Sequence, residues 1–152
     1  MKRKLKKIFL VTGVAGFIGS NIAKTLLKNK NIKVVGIDNL STGYEENIPD
    51  DVIFYKSDCS DPNLKKILQK YKFFAILHFA GQSSGELSFE DPINDVQSNV
   101  LSTINLMQFC IFNKCKKFIY ASTMSVYGNK LSKVNEKSKT NPISFYAVGK
   151  LA

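Results

Sequence analysis

Tyr146 and Lys150 are four positions apart in a chain of 152 residues. On a helix, this spacing puts both side chains on one face. A tyrosine hydroxyl is a poor base at neutral pH, but a neighbouring ammonium stabilises its phenolate form. The pair could therefore take a proton from a substrate hydroxyl. A surface helix that carries an incidental tyrosine and lysine is the alternative.

A second motif consists of three glycines that follow an apolar run. Gly13, Gly16 and Gly19 come directly after residues 8–11, and Asp38 ends the next apolar run. The order of strand, glycine turn, helix, strand and acidic residue predicts a dinucleotide site. We expect Gly13 to allow a tight turn, Gly16 to let the backbone approach a pyrophosphate, and Gly19 to let the helix pack on the strand.

The residues around this turn also indicate which dinucleotide would bind. The helix would begin near Phe17 and Ile18 and would present free N–H groups and its positive dipole end to the phosphates. Asp38 could accept hydrogen bonds from a ribose diol and would repel a 2′-phosphate, and the uncharged Asn39 follows it. The sequence therefore favours NAD over NADP. A glycine-rich turn in another kind of α/β protein is the alternative.

The elements that would position these motifs alternate along the chain. The strand candidates are almost continuously apolar, as in a parallel sheet that is covered on both faces. Asp61-Pro62 and Asp91-Pro92 each predict an N-cap followed by proline at the first helical position. The alternation predicts an α/β fold with a doubly wound parallel sheet, in one domain over residues 1–152. Strands are predicted at 7–12, 33–37, 52–56, 73–78 and 117–121, and helices at 17–29, 62–71, 92–113 and from about 144 onward.

The composition is 44% hydrophobic with a net charge of +10. The charge could suggest nucleic acid as a partner, but the sequence has no basic stripe interleaved with aromatic residues, so we predict none. Most lysines are scattered through predicted helices and loops. The one N-terminal cluster consists of Lys2, Arg3, Lys4, Lys6 and Lys7.

This basic N-terminus, followed by apolar residues 8–18, is similar to a signal peptide. Glycines interrupt the apolar stretch, however, and the dinucleotide turn explains them. No apolar stretch is long enough for a bilayer, so we predict no membrane partner. Cys59, Cys110 and Cys115 are odd in number and lack metal-ligand spacing. We therefore predict a cytoplasmic protein with reduced thiols and no metal.

The GxxGxxG spacing resembles the extended branch of the short-chain dehydrogenase/reductase superfamily, the NAD-dependent epimerase/dehydratase family. Five further landmarks occur in the order of that branch, and together they cover nearly the whole chain. They are residues 38–43 (DNLSTG), residues 78–81 (HFAG), Asn99-Val100, residues 122–128 after a strand, and the YxxxK of residues 146–150. The resemblance implies a Rossmann-type NAD-binding domain, a nucleotide-sugar substrate and, for the longer form, a homodimer.

The resemblance also implies the roles of individual residues. Tyr146 would be the base, Lys150 would also hold the nicotinamide ribose, and Thr123 would bond the reacting oxygen, with Ser122 as the adjacent alternative. Further cofactor contacts would come from Asp58, Cys59, Phe79, Ala80 and Gly81.

Other residues receive subsidiary interpretations. Asp58 would face the adenine, or would serve only as a turn residue at the end of a strand. Gln82, with Ser83 and Ser84, could reach phosphate or substrate. We interpret His78 as a packed structural residue and Asn99 as support for the helix backbone.

The two residues after Thr123 distinguish the reactions within the family. The resembling dehydratases carry Asp-Glu there and the decarboxylases carry Glu at the second position, whereas this chain has Met124 and Ser125. This favours reversible hydride transfer with NAD retained, above all 4-epimerisation of a UDP-hexose. A reductase or dehydrogenase with net cofactor turnover is one alternative. A non-catalytic NAD(P)-sensing module is another, which the set of Thr123, Tyr146 and Lys150 disfavours.

Proteins of this family continue further, with strands that complete the sheet and a lobe that holds the sugar nucleotide. We therefore expect this chain to be an N-terminal fragment without the substrate lobe, and to be inactive alone.

Overall fold

A computed structural model describes residues 5–152. Three members of the N-terminal basic cluster, Lys2, Arg3 and Lys4, therefore lie outside the described residues. Five parallel strands form one sheet in the order β3-β2-β1-β4-β5. The predicted α/β fold is therefore confirmed, and each strand lies within one residue of its predicted bounds. The strands are β1 (Lys7–Thr12), β2 (Ile32–Asp38), β3 (Ile53–Lys56), β4 (Phe73–His78) and β5 (Lys117–Tyr120).

The strand register brings the carboxyl ends of the strands to one edge of the sheet. Thr12 of β1 pairs with Ile37 on one side and with His78 on the other, and His78 pairs with Tyr120. The chain winds outward from β1 to β3 and then returns to place β4 on the other side of β1. Such a reversal of strand order opens a crevice at the carboxyl ends, where open α/β sheets bind ligands.

Both faces of the sheet are covered, which explains the continuous apolar runs. Leu10 and Ile76 pack on one face with Leu106, while Val11 and Leu77 belong to the cluster on the other face. Adjacent residues of one strand point to opposite faces, so a strand buried on both sides needs apolar residues at consecutive positions.

Within the described residues, five α-helices and a π-helical segment lie between the strands, and a sixth α-helix follows β5. Short 3₁₀ turns occur at Glu45–Asn47 and Met124–Tyr127. No helix of residues 5–152 combines the length and the apolar character that a membrane crossing requires. The α-helices are α1 (Phe17–Leu27), α2 (Leu64–Leu68), α3 (Leu87–Glu90), α4 (Pro92–Asp95), α5 (Ser102–Phe112) and α6 (Phe145–Leu151), and the π-helical segment is Val96–Leu101 between α4 and α5.

One of the two predicted Asp-Pro helix starts is wrong. The Asp61 carboxylate accepts hydrogen bonds from the backbone and side chain of Asn63 and forms a local turn, so α2 begins only at Leu64. The other is confirmed, because Asp91 accepts a 2.9 Å hydrogen bond from the Asn94 N–H and Pro92 opens α4. Asx turns and N-caps use the same side-chain chemistry, which makes the two hard to separate by sequence.

Candidate active site

The glycine turn between β1 and α1 is closely packed on two sides and open on the third. Gly13 has a φ of +68°, and a Cβ there would lie 2.7 Å from the backbone nitrogen of Ala80. A Cβ at Gly19 would overlap the carbonyl oxygen of Gly13. A Cβ at Gly16 would meet only that same oxygen, at 3.3 Å. The turn therefore joins β1, α1 and the loop after β4, and leaves its outer side accessible at Gly16.

No side chain caps the first backbone N–H groups of α1. Gly16 is its N-cap and makes no side-chain capping hydrogen bond, and no acidic residue lies in the first turn. Phe17 is 84% exposed and Ile18 is also exposed. An α-helix leaves its first N–H groups without intrahelical partners, and such a helix end binds anions. The start of α1 therefore fits a phosphate group.

Asp38 connects the end of β2 to this turn. Its side chain is only 8% exposed. One carboxylate oxygen accepts a 3.0 Å hydrogen bond from the Ala15 N–H, and the other accepts a 2.8 Å bond from the Leu40 N–H. Each oxygen keeps acceptor capacity for a further donor. Asp38 thus holds the glycine turn and places a carboxylate where a ribose diol next to the phosphates would need one.

Asn39 and Asp58 are joined beside Asp38. The Asn39 amide donates a 2.8 Å hydrogen bond to one Asp58 oxygen, while the other oxygen accepts bonds from the N–H and hydroxyl of Ser60. Partial burial acts to raise the pKa of Asp58, but the bonds from Ser60 and Asn39 outweigh it and lower the pKa below its ordinary value. The predicted turn role of Asp58 is therefore present, and the carboxylate is held at the edge of the sheet.

The three cysteines are unbonded thiols within the described residues. Cys59 packs in the core with Leu64 and Leu68, so only its backbone can face a ligand. Burial, together with the Asp58 charge, raises the pKa of the Cys59 thiol to about 12. No group of three or more His, Cys, Asp or Glu side chains in residues 5–152 is arranged to hold a metal ion.

Tyr146 and Lys150 lie together on α6. The helix begins after Ser144, whose hydroxyl accepts a 3.1 Å hydrogen bond from the Ala147 N–H. Tyr146 is 9% exposed and Lys150 is 7% exposed, so the pair does not belong to an exposed surface. Burial lowers the pKa of Lys150, and the negative charge of Asp95 acts in the opposite direction.

Tyr120, at the end of β5, is a neighbour of this pair that the sequence interpretation missed. The Lys150 Nζ lies 4.8 Å from the centre of the Tyr120 ring, within the range of a cation–π interaction. An aromatic residue as the last residue of a strand, at the edge where ligands bind, was the available signal. The ring helps to fix the lysine head group beside the loop after β4.

Thr123 is engaged with the 3₁₀ turn that follows β5. Its hydroxyl accepts a hydrogen bond from the Ser125 N–H and donates one to the Ser125 hydroxyl, both at 3.2 Å. Ser122, the adjacent alternative, instead donates a 3.4 Å bond to the carbonyl oxygen of Lys150. The structure therefore brings Ser122 into contact with α6, whereas the hydroxyl of Thr123 serves as a cap.

The loop after β4 enters the site between the glycine turn and α6. The Phe79 and Ala80 N–H groups both donate to Thr12, to its carbonyl and hydroxyl oxygens respectively. Gly81 has a φ of +152°, and a Cβ there would overlap the Asn99 side chain and lie 3.3 Å from the Lys150 Nζ. The loop thus passes directly against the lysine and the π-helical segment.

Gln82, which the sequence suggested could reach phosphate or substrate, makes its side-chain hydrogen bonds within the protein. Its amide nitrogen donates to the Ser84 carbonyl oxygen at 2.6 Å and to an Asp95 oxygen at 3.0 Å. Its side-chain oxygen accepts from the Ser84 N–H. The Gln82 side chain therefore links its own loop to the buried Asp95 carboxylate.

Asp95 and Asn99 are the buried polar residues on the other side of this loop. The Asn99 amide donates 3.0 Å bonds to the Gln82 carbonyl oxygen and to Asp95 Oδ1. This supports the interpretation of Asn99 as a structural residue, although it holds the loop as well as the helix. Asp95 was missed, and its position four residues before Asn99 on a predicted helix was the available signal.

His78 lies in the centre of the sheet edge and is fully buried. Its two ring nitrogens contact Thr12 Oγ1 at 2.7 Å and Thr103 Oγ1 at 3.1 Å. Burial, aided by the charge of Lys150, lowers its pKa to about 3. A neutral imidazole bonded on both sides agrees with a packed structural residue.

Comparison with known proteins connects this geometry to a family. The model of the NAD-dependent epimerase/dehydratase family matches residues 9–152. The UDP-glucose 4-epimerase of Mycolicibacterium smegmatis is 38% identical over 150 residues, which is 94% of this chain and 48% of that protein. The dTDP-D-glucose 4,6-dehydratase of Dictyostelium discoideum is 36% identical over 163 residues, which is 93% of this chain and 37% of the relative.

A solved structure gives the same result. The UDP-glucose 4-epimerase of Thermus thermophilus, in complex with NAD, superimposes with a TM-score of 0.87 and 35% sequence identity. The match covers 94% of this chain and 47% of that one. The chain thus spans about half the length of these two 4-epimerases. With its landmarks at one edge of a parallel sheet and a family model matched over residues 9–152, the chain belongs to the NAD-dependent epimerase/dehydratase family.

Proposed function

We propose that this chain is the NAD-binding part of a nucleotide-sugar 4-epimerase that acts on a UDP-hexose. The observation that carries the proposal is the burial of Tyr146 and Lys150 on α6, next to the loop at Gly81 and at the same sheet edge as the glycine turn. Relatives and structural neighbours that are named 4-epimerases support it.

The described residues fit NAD at several points. The open side of Gly16 and the uncapped start of α1 would receive the pyrophosphate, and Asp38 would accept from the adenine ribose. When bound, NAD supplies an acceptor that takes hydride from a sugar carbon and returns it. The full set of proposed cofactor contacts is Gly13, Gly16, Phe17, Ile18, Gly19, Asp38, Asn39, Asp58, Cys59 through its backbone, Phe79, Ala80, Gly81, Tyr146 and Lys150.

The chain's own residues would handle the proton. Tyr146 would accept the proton of the sugar C4 hydroxyl as that carbon is oxidised, and would return it after the sugar has presented its other face. The Lys150 ammonium would stabilise the phenolate and hold the base and the nicotinamide ribose together. Thr123 would form a hydrogen bond with the reacting oxygen. To do so, its hydroxyl would have to give up its present hydrogen bond to the Ser125 hydroxyl.

A dehydratase is the alternative that one relative raises. Elimination of water from a sugar needs an acid and a base next to the reacting carbons. At the two positions after Thr123 this chain carries Met124 and Ser125, and neither side chain titrates near neutral pH. This departure from the Asp-Glu of the dehydratases favours epimerisation.

The proposal is tested by incubating the full-length protein with UDP-glucose or UDP-galactose and separating the products. An epimerase interconverts the two sugars without net formation of NADH. Stoichiometric NADH formation or consumption would favour the alternative of a dehydrogenase or reductase. Tight NAD binding without any turnover would favour the sensing module.

We also propose that the full-length protein is a homodimer. Exposed apolar side chains on α5, among them Ile104, Met107 and Ile111, favour burial against a second copy. Sedimentation equilibrium of the full-length protein measures its mass directly, and a monomer at micromolar concentration would contradict this proposal.

A further inference from the structure

Asp95 is a fully buried carboxylate at the end of α4. Its Oδ1 accepts two 3.0 Å hydrogen bonds, from the amides of Gln82 and Asn99. Its Oδ2 is buried and has no hydrogen-bond partner among the described residues, and the same is true of Asn99 Oδ1. A buried carboxylate oxygen without a partner is costly unless a cation lies near it.

The backbone of α6 passes close to this carboxylate. A Cβ at Gly149 would lie 3.5 Å from Asp95 Oδ2 and 3.3 Å from a methyl group of Val100. The backbone of α6 thus lies within about one methyl group of α4 and the π-helical segment. The next residue of α6 is Lys150, whose ammonium is close enough to Asp95 for the two charges to interact.

Lys150 and the second free oxygen converge on the loop after β4. A Cβ at Gly81 would overlap Asn99 Oδ1 and lie 3.3 Å from the Lys150 Nζ. The ammonium and Asn99 Oδ1 thus lie on the same side of Gly81, and Asp95 Oδ2 lies beside Gly149, the residue that precedes Lys150 in α6. The loop, α4 and α6 all meet around these groups.

The charges of Asp95 and Lys150 also interact. Burial raises the pKa of Asp95 and lowers the pKa of Lys150, and each group's charge opposes the change in the other. The other titratable groups that face Lys150 are His78, which stays neutral with a pKa of about 3, and the tyrosines 120 and 146. In this cluster, Asp95 is the carboxylate that can balance the ammonium.

We propose that Asp95 is a positioning residue for Lys150. The Asp95 carboxylate supplies the counter-charge of the Lys150 ammonium and, through its bond to Gln82, fixes the loop that the ammonium contacts. The catalytic consequence rests on the proposed epimerase function, but the anchoring of Lys150 does not. Asp95 would touch neither the substrate nor the cofactor. It would keep Lys150 charged and in place next to Tyr146.

The direct test is Asp95→Asn in the full-length protein with NAD bound. The asparagine oxygen can still accept the bonds from Gln82 and Asn99, so only the charge is removed. The matched control is Glu90→Gln, which removes an exposed carboxylate five residues earlier. The readout is a pH titration of the lysine side-chain signals by NMR, with the Lys150 signal assigned from Lys150→Arg.

We expect the titration of Lys150 to move to lower pH in Asp95→Asn and to stay unchanged in Glu90→Gln. In turnover of UDP-glucose at saturating NAD, we expect Asp95→Asn to lower kcat on the order of 10-fold and to move the alkaline limb of the kcat profile to lower pH. If Asp95→Asn does not fold, Asp95→Ser serves the same comparison, since it also removes the charge.

An unchanged Lys150 titration in a folded, uncharged variant would overturn the proposal. So would a folded, uncharged variant whose kcat at saturating NAD and whose alkaline limb both equal those of wild type. If the wild-type protein does not turn over a nucleotide sugar, the proposed function fails, and the NMR titration still decides whether Asp95 anchors Lys150.

Discussion

The Asp38 carboxylate accepts a 3.0 Å hydrogen bond from the backbone N–H of Ala15, which precedes it by 23 residues. The same side chain therefore shapes the glycine turn and presents a negative charge at the proposed ribose site. Asp38→Asn removes the charge but keeps one acceptor oxygen. Hydrogen bonds to charged groups contribute about 1.5–3 kcal/mol, so we expect NAD affinity to fall roughly 10- to 100-fold.

Calorimetry with NAD and NADP measures this effect. We expect wild type to prefer NAD, and Asp38→Asn to lose most of that preference because the repulsion of a 2′-phosphate is gone. Asp50→Asn, which removes an exposed carboxylate, is the control. An unchanged ratio of the two affinities in Asp38→Asn would show that Asp38 does not select the cofactor.

The contact between Gly19 and Gly13 leads to a second prediction. A Cβ at position 19 would overlap the carbonyl oxygen of Gly13, so Gly19→Ala must push α1 away from the turn. Overpacking of this kind costs about 1–3 kcal/mol. We expect lower stability in urea unfolding and weaker NAD binding.

Gly85→Ala is the control for this substitution. A Cβ at Gly85 would meet only the Ser144 side chain, at 3.7 Å, which is an ordinary contact. If Gly19→Ala bound NAD as tightly as Gly85→Ala, the close approach of α1 to the turn would have no part in binding.

The buried His78 predicts a loss of stability in acid. Its pKa is about 3 in the folded state and about 6.5 when unfolded, so between these values the unfolded chain binds more protons. The contribution of this group to the free energy of unfolding is therefore constant above about pH 6.5. It falls as the pH is lowered toward 3, by about 1.4 kcal/mol per pH unit.

Urea unfolding of wild type and His78→Gln at a series of pH values from 4.5 to 7.5 measures this slope. Glutamine does not titrate, so we expect the variant to show a weaker pH dependence, even if its stability at pH 7 is lower. Equal slopes in the two proteins would mean that His78 does not resist protonation.

Tyr146→Phe tests the proposed base. The phenyl ring keeps the packing of α6 against its neighbours but cannot accept a proton. General acid–base groups contribute about 10²–10⁴-fold in rate, so we expect kcat to fall by that factor while NAD affinity is retained. Wild-type turnover of UDP-glucose by this variant would remove Tyr146 from the mechanism.

The sheet and the glycine turn could be predicted because local sequence determines them. Residues such as Leu10 and Val11 point to opposite faces of β1, and both are apolar because both faces are covered. Gly13 and Gly19 reflect close backbone contacts that a Cβ would obstruct. The errors lie in the helices: α3 was not predicted, and α2 is shorter at both ends than the helix predicted at 62–71.

The buried polar cluster could not be predicted in the same way. Gln82, Asp95 and Asn99 are brought together by the packing of a loop against a π-helical segment, and neither feature has a periodic signal. Asp95 looks like an ordinary exposed residue of a helical turn. It is buried beneath Gln82 and Asn99 and beside Gly149 of α6, contacts that only the tertiary structure shows.

The fate of the hydrogen at C4 tests the central claim most directly. The full-length protein is incubated with UDP-glucose that carries deuterium at C4, in ordinary water, and the UDP-galactose formed is analysed by NMR and mass spectrometry. Our account predicts epimerisation with the deuterium retained at C4 and no net NADH, because hydride leaves and returns at the same carbon. Product that carries a solvent hydrogen at C4, or a failure to form UDP-galactose at all, would contradict it.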